Sequence, residues 1–287
     1  MILIHQATII NEGKTFKGSV LIEGEKIKKI FHDKIPENVL TRCRNVIDAQ
    51  GLYLIPGVID DQVHFREPGL THKGDIETES RAAVAGGVTS FMDMPNTKPQ
   101  TITIAALEDK FERAAQKSIA NYSFYLGATN DNIRELKKAD PKNVCGIKVF
   151  MGASTGNMLV DNPQSLQRIF AEVGMLIATH CEKEEIIRQN VELFKKRFGE
   201  DIPIKYHPLI RSEEACYQST AQAVELADNY GTRLHVLHLS TGRELCLFDH
   251  HPLEDKKITA EVRVHHLWFS AEDYERLGSR IKWNPAI

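Results

Sequence analysis

The sequence predicts an α/β protein, a (β/α)8 barrel of the TIM type preceded by a small β-sheet, and three observations carry that expectation. Seven short apolar runs recur after residue 53, each is nearly continuous in Val, Ile, Leu and Phe, and each is followed by a stretch with helical periodicity. A strand that is apolar on both faces must be covered on both, which a parallel sheet with crossover helices achieves.

The elements follow in order. Residues 2–10, 19–23, 26–31 and 45–49 alternate as short strands, with Gly24 placed for a hairpin turn. They form a small sheet over residues 1–52, ahead of a main domain over 53–287. The barrel runs are residues 54–60, 89–94, 122–127, 146–151, 175–180, 233–238 and 258–262. Helical segments lie between them, such as 104–116 and 213–230, the latter closing at Gly231. After the seventh run the chain reaches Asn284-Pro285-Ala286-Ile287 without an eighth strand. The expectation is a chain truncated before strand eight, with residues 1–287 inactive by themselves. No repeat, low-complexity tract or Pro/Gly/Ser linker interrupts the pattern.

The 287 residues are 42% hydrophobic and 26% charged, the balance of a soluble globular protein. A net charge of -3 leaves no basic excess, which argues against nucleic acid or an anionic membrane as partner and for a small-molecule substrate. The cysteines, Cys43, Cys145, Cys181, Cys216 and Cys246, are odd in number and never in a CxxC pair, so reduced thiols in the cytoplasm are expected. No run approaches the ~18 apolar residues of a membrane span, and the N-terminus lacks the pattern of an export signal.

Barrel enzymes build their sites at the C-terminal ends of strands. Here those ends carry Gln62, His64 and Arg66 after the first run, Asn96 after the second, Lys148 in the fourth, His180 in the fifth and His238 in the sixth. A lone histidine at a strand end is more often structural than a ligand, but His64, His180 and His238 would face one barrel mouth, where imidazole suits zinc. Lys148 lies among Ile147, Val149 and Phe150, where an ammonium is costly to bury. Pairing with a carboxylate, snorkelling to the rim and a functional role are equal readings of that residue alone; a carboxylated lysine would be an anionic oxygen ligand. Arg66 reads equally as the partner of Glu67 or Asp75, and Asn96 as a turn residue after Pro95. The run Gly152-Ala153-Ser154-Thr155-Gly156 lacks the lysine of a phosphate-binding loop. His265 and His266, if extended, point to opposite sides; His250 and His251 read as solvent-facing, and Cys181 as packing.

On these residues the chain resembles the metal-dependent amidohydrolase superfamily and, within it, the dihydroorotases. The resemblance covers nearly the whole length and includes the strings His180-Cys181-Glu182 and His238-Leu239-Ser240-Thr241. It implies that the first fifty residues belong to a small β-sandwich. It also implies a divalent metal, zinc, as cofactor, in one or two ions: carboxylated Lys148 bridges, His180 and His238 hold the more exposed ion, and His64 is the second member of an HxH pair. Gln62 stands where that pair has its first histidine and is a weak metal candidate, because an amide oxygen is a poorer zinc ligand than imidazole. The family's strand-eight aspartate, which shuttles the proton, is absent here, so the catalytic acid is unknown. Arg66 and Asn96 match the residues that bind the substrate carboxylate, with the fork of a guanidinium suited to it. The implied reaction is reversible hydrolysis of dihydroorotate to N-carbamoyl-aspartate in pyrimidine biosynthesis. The alternatives are a non-catalytic structural partner and an allantoinase or hydantoinase; a homodimer or a partner from the pyrimidine pathway stays open.

Overall fold

The computed structural model describes residues 1–152 and 157–287, and the chain divides into two units, Met1–Val58 and Ile59–Ile287. In the first, β1 (Ile2–Asn11), β2 (Lys14–Glu23) and β3 (Lys26–Phe31) form antiparallel hairpins that turn at Gly13 and Gly24, both at positive φ. After α1 (Glu37–Leu40), β4 (Asn45–Asp48) and β5 (Tyr53–Leu54) pair with β1 in parallel. Neighbouring residues face opposite sides of a strand. Val20 therefore packs with Ala7, Ile9 and Ala49, while Leu21 packs with Leu3 and Phe31.

The second unit is a curled parallel sheet of seven strands in strict chain order: β6 (Val58–Val63), β7 (Val88–Asp93), β8 (Asn121–Gly127), β9 (Gly146–Phe150), β10 (Ile177–His180), β11 (Leu234–Val236) and β12 (Ile258–Ala260). Between the strands lie α2 (Ile76–Ala85), α3 (Ile104–Lys117), α4 (Ile133–Leu136), α5 (Pro163–Glu172), α6 (Glu184–Phe198), α7 (His207–Ile210) and α8 (Glu213–Tyr230), and after them α9 (Val264–Trp268) and α10 (Tyr274–Leu277). Their ends carry ordinary stop and start chemistry. Ser212 accepts from the Ala215 amide to open α8, and Gly231 closes it at φ 65°.

One face of the sheet meets the helices. Phe124, Leu126, Ile147, Val149, Leu234 and Val236 pack there with Leu107, Leu166, Phe170 and Ala227, each fully buried large side chain contributing ~1.5–3 kcal/mol. A separate cluster of Met94, Tyr125, Ala178 and Leu237 lines the concave face. No helix among the described residues is long and apolar enough to cross a membrane.

Three elements differ from the sequence expectation. The run at residues 54–60 is divided, its start pairing with β1 and its end opening the seven-stranded sheet, because Pro56 has no N–H to give a ladder and Gly57 follows it. His265 and His266 lie on α9 and not on an extended segment. The small sheet's second strand also starts at Lys14, earlier than residues 19–23 suggest: the turn at Gly13 sets Lys14 opposite Asn11, and the polar residues that follow hide the alternation.

Candidate active site

Register places the first pieces. Gly127, Lys148, Ala178, His235 and Thr259 are successive partners across β8 to β12, so they share the concave face on which Ala178 packs. Lys148 is 1% exposed, its Nζ 4.7 Å above the Phe150 ring, and among the described residues no carboxylate lies within salt-bridge distance of it. Burial is the main reason its pKa falls to about 7, which leaves much of the amine unprotonated near neutrality.

His180 ends β10 and His238 follows β11 at φ 42°, a left-handed backbone that few residues adopt without support. Their Nδ1 and Nε2 atoms are 3.1 Å apart, and His180 Nε2 lies 2.7 Å from Glu182 Oε2, which Arg211 approaches at 3.4 Å. The carboxylate accepts a hydrogen bond from the Nε2–H, so the other ring nitrogen of His180 keeps a lone pair. Burial first, then the Lys148 charge among smaller causes, depresses both histidines and keeps them neutral. His238 Nδ1 and Glu182 Oε1 are buried without hydrogen-bond partners among the described residues. The backbones here lie so close that a Cβ on Gly152 would meet Glu182 O at 2.1 Å, so only glycine fits.

His64 follows β6, and its Nδ1 is 2.8 Å from Asn96 Oδ1. An amide oxygen only accepts, so Nδ1 carries the proton and Nε2 the lone pair. Burial, followed by the charges of Arg66 and Lys148, lowers His64 to about 3. Arg66 itself sits at φ 71°. The rim carboxylates are engaged elsewhere: Glu67 pairs with Lys117 at 2.5 Å and Arg113 at 3.7 Å, and Asp75 caps α2. The loop holding Asn96 is braced by a wholly buried pair, Lys110 to Asp93 at 2.5 Å. Lys110 also donates to Met94 O, and Asp93 accepts from the Phe65 amide.

Gln62 pairs with Arg263, whose Nε donates to Gln62 Oε1 at 3.1 Å and whose fork also reaches Gln62 O and, at 3.3 Å, Asp60 Oδ1. Beside it, His235 Nε2 lies 3.4 Å from Asp61 Oδ2 and 3.6 Å from Glu261 Oε2. These three are the described group of His, Cys, Asp and Glu side chains close enough to share a metal ion. Burial opposes a charge on the His235 ring, but the two carboxylates outweigh it and raise its pKa to about 9, so a proton serves as the cation between them. Sequence reasoning missed Arg263, His235 and Glu261. Only their positions at or beside strand ends could have signalled them.

Other residues stand apart. His265 stacks on Trp283 at 3.9 Å, His266 faces Pro285 O, and His250 and His251 are exposed. Cys181 donates to Thr179 Oγ1, and burial pushes its thiol up to about 11. Residues 153–156 of the small-residue run lie outside the described residues.

The donors fit a divalent metal. Tetrahedral zinc with bonds of about 2.0–2.1 Å holds neighbouring ligand atoms about 3.3 Å apart, close to the 3.1 Å between the His180 and His238 nitrogens. A ligand histidine that gives its second N–H to a carboxylate is the usual arrangement around such an ion, and Glu182 accepts that proton from His180. His180 through Nδ1 and His238 through Nε2 are the pair that would hold it, with Lys148 on the same face; His64 does not group with them.

Known proteins share this arrangement of chain. A dihydroorotase of Methanosarcina acetivorans is 36% identical over 280 residues, covering 93% of this chain and 57% of that protein. An allantoinase of Deinococcus radiodurans is 30% identical over 265 residues, covering 88% and 57%. The structure of an L-hydantoinase (dihydropyrimidinase) from Arthrobacter aurescens superposes with a TM-score of 0.91 at 26% identity, over 100% of this chain and 63% of that one. The chain thus spans about three-fifths of the length of these relatives. The profile of the amidohydrolase family matches residues 53–280, which include every candidate ligand above. The chain belongs to the amidohydrolase family.

Proposed function

We propose that the protein hydrolyses a cyclic amide bearing a carboxylate, dihydroorotate, as a metal-dependent dihydroorotase. The observation that carries the substrate choice is Arg66: it follows His64 closely, its charge is felt there, and among the described residues no carboxylate pairs with it. A free guanidinium fork at the edge of a metal site suits a planar carboxylate. Asn96 supports the same reading, since its Oδ1 is occupied by His64 and its NH2 is left to donate. Relatives named allantoinase and hydantoinase leave the ring class shared and the carboxylate as the distinguishing group.

A divalent ion held by the histidines and Lys148 would supply Lewis acidity, polarising the scissile carbonyl and making water nucleophilic near neutral pH. The chain's own residues bind and orient. Arg66 and Asn96 fix which carbonyl enters the site. Asn96 holds the His64 tautomer, and Glu182, steadied by Arg211, holds that of His180. Supplied with zinc and with a strand-eight proton donor, the protein should convert dihydroorotate to N-carbamoyl-aspartate and act far more slowly on allantoin and hydantoin; turnover of either uncharged ring alone would sink the substrate assignment.

A further inference from the structure

We infer that Arg263 is the resident cation of the Gln62 side of the site, and that the protein in consequence binds one divalent ion per chain and not two. The inference rests on the metal-dependent reading above and deepens it. Four oxygens converge on one guanidinium: Gln62 Oε1 at 3.1 Å, Gln62 O, Asp60 Oδ1 at 3.3 Å and Glu261 Oε1 at 3.5 Å from Arg263. Carboxylate, amide and carbonyl oxygens gathered in this way are what a hard divalent cation also draws. Here the positive charge is covalently attached. It cannot leave by deprotonation, because a guanidinium stays charged at any pH the fold survives.

The geometry leaves a second ion two unfavourable options. It can bind Gln62 while the fork stays, and then a dication sits beside a fixed positive charge. Or it can displace the fork, and Arg263, 24% exposed, loses its partners on β6. The nitrogen side has no such occupant, because Arg211 is spent on Glu182. Glu261 ties the two sides together, its Oε1 also accepting from the His238 amide at 3.2 Å. In the Asp61, His235 and Glu261 group, both carboxylates already face the His235 ring, and Glu261 is shared with Arg263.

The test is metal stoichiometry in the purified protein, loaded with zinc or cobalt, freed of excess by gel filtration and measured by elemental analysis. One ion per chain is expected. Two ions per chain would overturn the Arg263 inference and leave the hydrolase reading standing, whereas none would remove both. The double variant Gln62→His with Arg263→Ala should rise to two ions per chain, and a folded double variant that stays at one overturns the role given to Arg263. Should that variant fail to fold, cobalt-loaded wild-type protein decides: an isolated high-spin signal by electron paramagnetic resonance supports the inference, and a spin-coupled pair overturns it.

Discussion

On the β10–β11 side of the barrel mouth, His180 and His238 are neutral and buried and turn ring nitrogens toward each other, whereas on the β6–β12 side Gln62, Asp60 and Glu261 already share the guanidinium of Arg263. Both sides are built from strand ends of one sheet, and both gather lone pairs. They differ in whether the protein itself supplies the positive charge. Buried polar atoms are normally hydrogen-bonded, yet among the described residues His238 Nδ1 and Glu182 Oε1 lack partners on the one side and His235 Nε2 on the other.

Four measurements test that contrast. The largest effect belongs to the nitrogen side: His238→Ala should lose the bound metal and with it several kcal/mol of transition-state stabilisation, on the order of 10³-fold in turnover. If elemental analysis finds the metal content of this variant unchanged, the ligand assignment is wrong. Next comes Arg66→Lys, which keeps the charge and loses the fork. It should cost about 1.5–3 kcal/mol, or about 10- to 150-fold in kcat/KM for dihydroorotate, with little change for an uncharged ring. An equal loss on both substrates would return Arg66 to a structural role. Glu182→Gln should weaken metal affinity about 10- to 100-fold by chelator competition, because the proton acceptor behind His180 is altered while its shape is kept.

The smallest effect is a pH dependence on the other side. His235 has its pKa raised from 6.5 to about 9, so its contribution to stability is fully present below pH 6.5 and fades as the pH rises through about 9. His235→Gln should flatten the fall in stability over that window, read by urea unfolding at several pH values. An unchanged slope would mean that some other group titrates there.

Much of the barrel was legible because its strands are continuous apolar runs and the crossover helices begin and end on polar caps and glycine. Residues 213–230 and Gly231 coincide with α8 and its cap. What periodicity could not reveal was the handover at Pro56-Gly57, since an apolar run looks the same whether it serves one sheet or two. His64, Asn96, Lys148, His180 and His238 were named from strand ends, and the pairings His64–Asn96 and His180–His238 add what sequence lacks, the direction of each ring. Arg263 escaped notice because an arginine after a strand has no distinguishing neighbours in sequence. Its meaning depends on Gln62, two hundred residues away along the chain. Lys110 and Asp93 escaped for the same reason, one on a helix and the other on a strand, joined only by the fold.

The strict chain order of β6 to β12 bears on how the protein is made. Each strand emerging from the ribosome docks against the one made just before it, so assembly proceeds by contacts that are local in sequence and fast to form. The imidazoles that matter most are added late. A nascent chain that has built β6 through β9 holds His64, Asn96 and Lys148, but a metal finds its pair of nitrogens only once β10 and β11 have joined. Until then the two nitrogens that a divalent ion would need are not yet side by side.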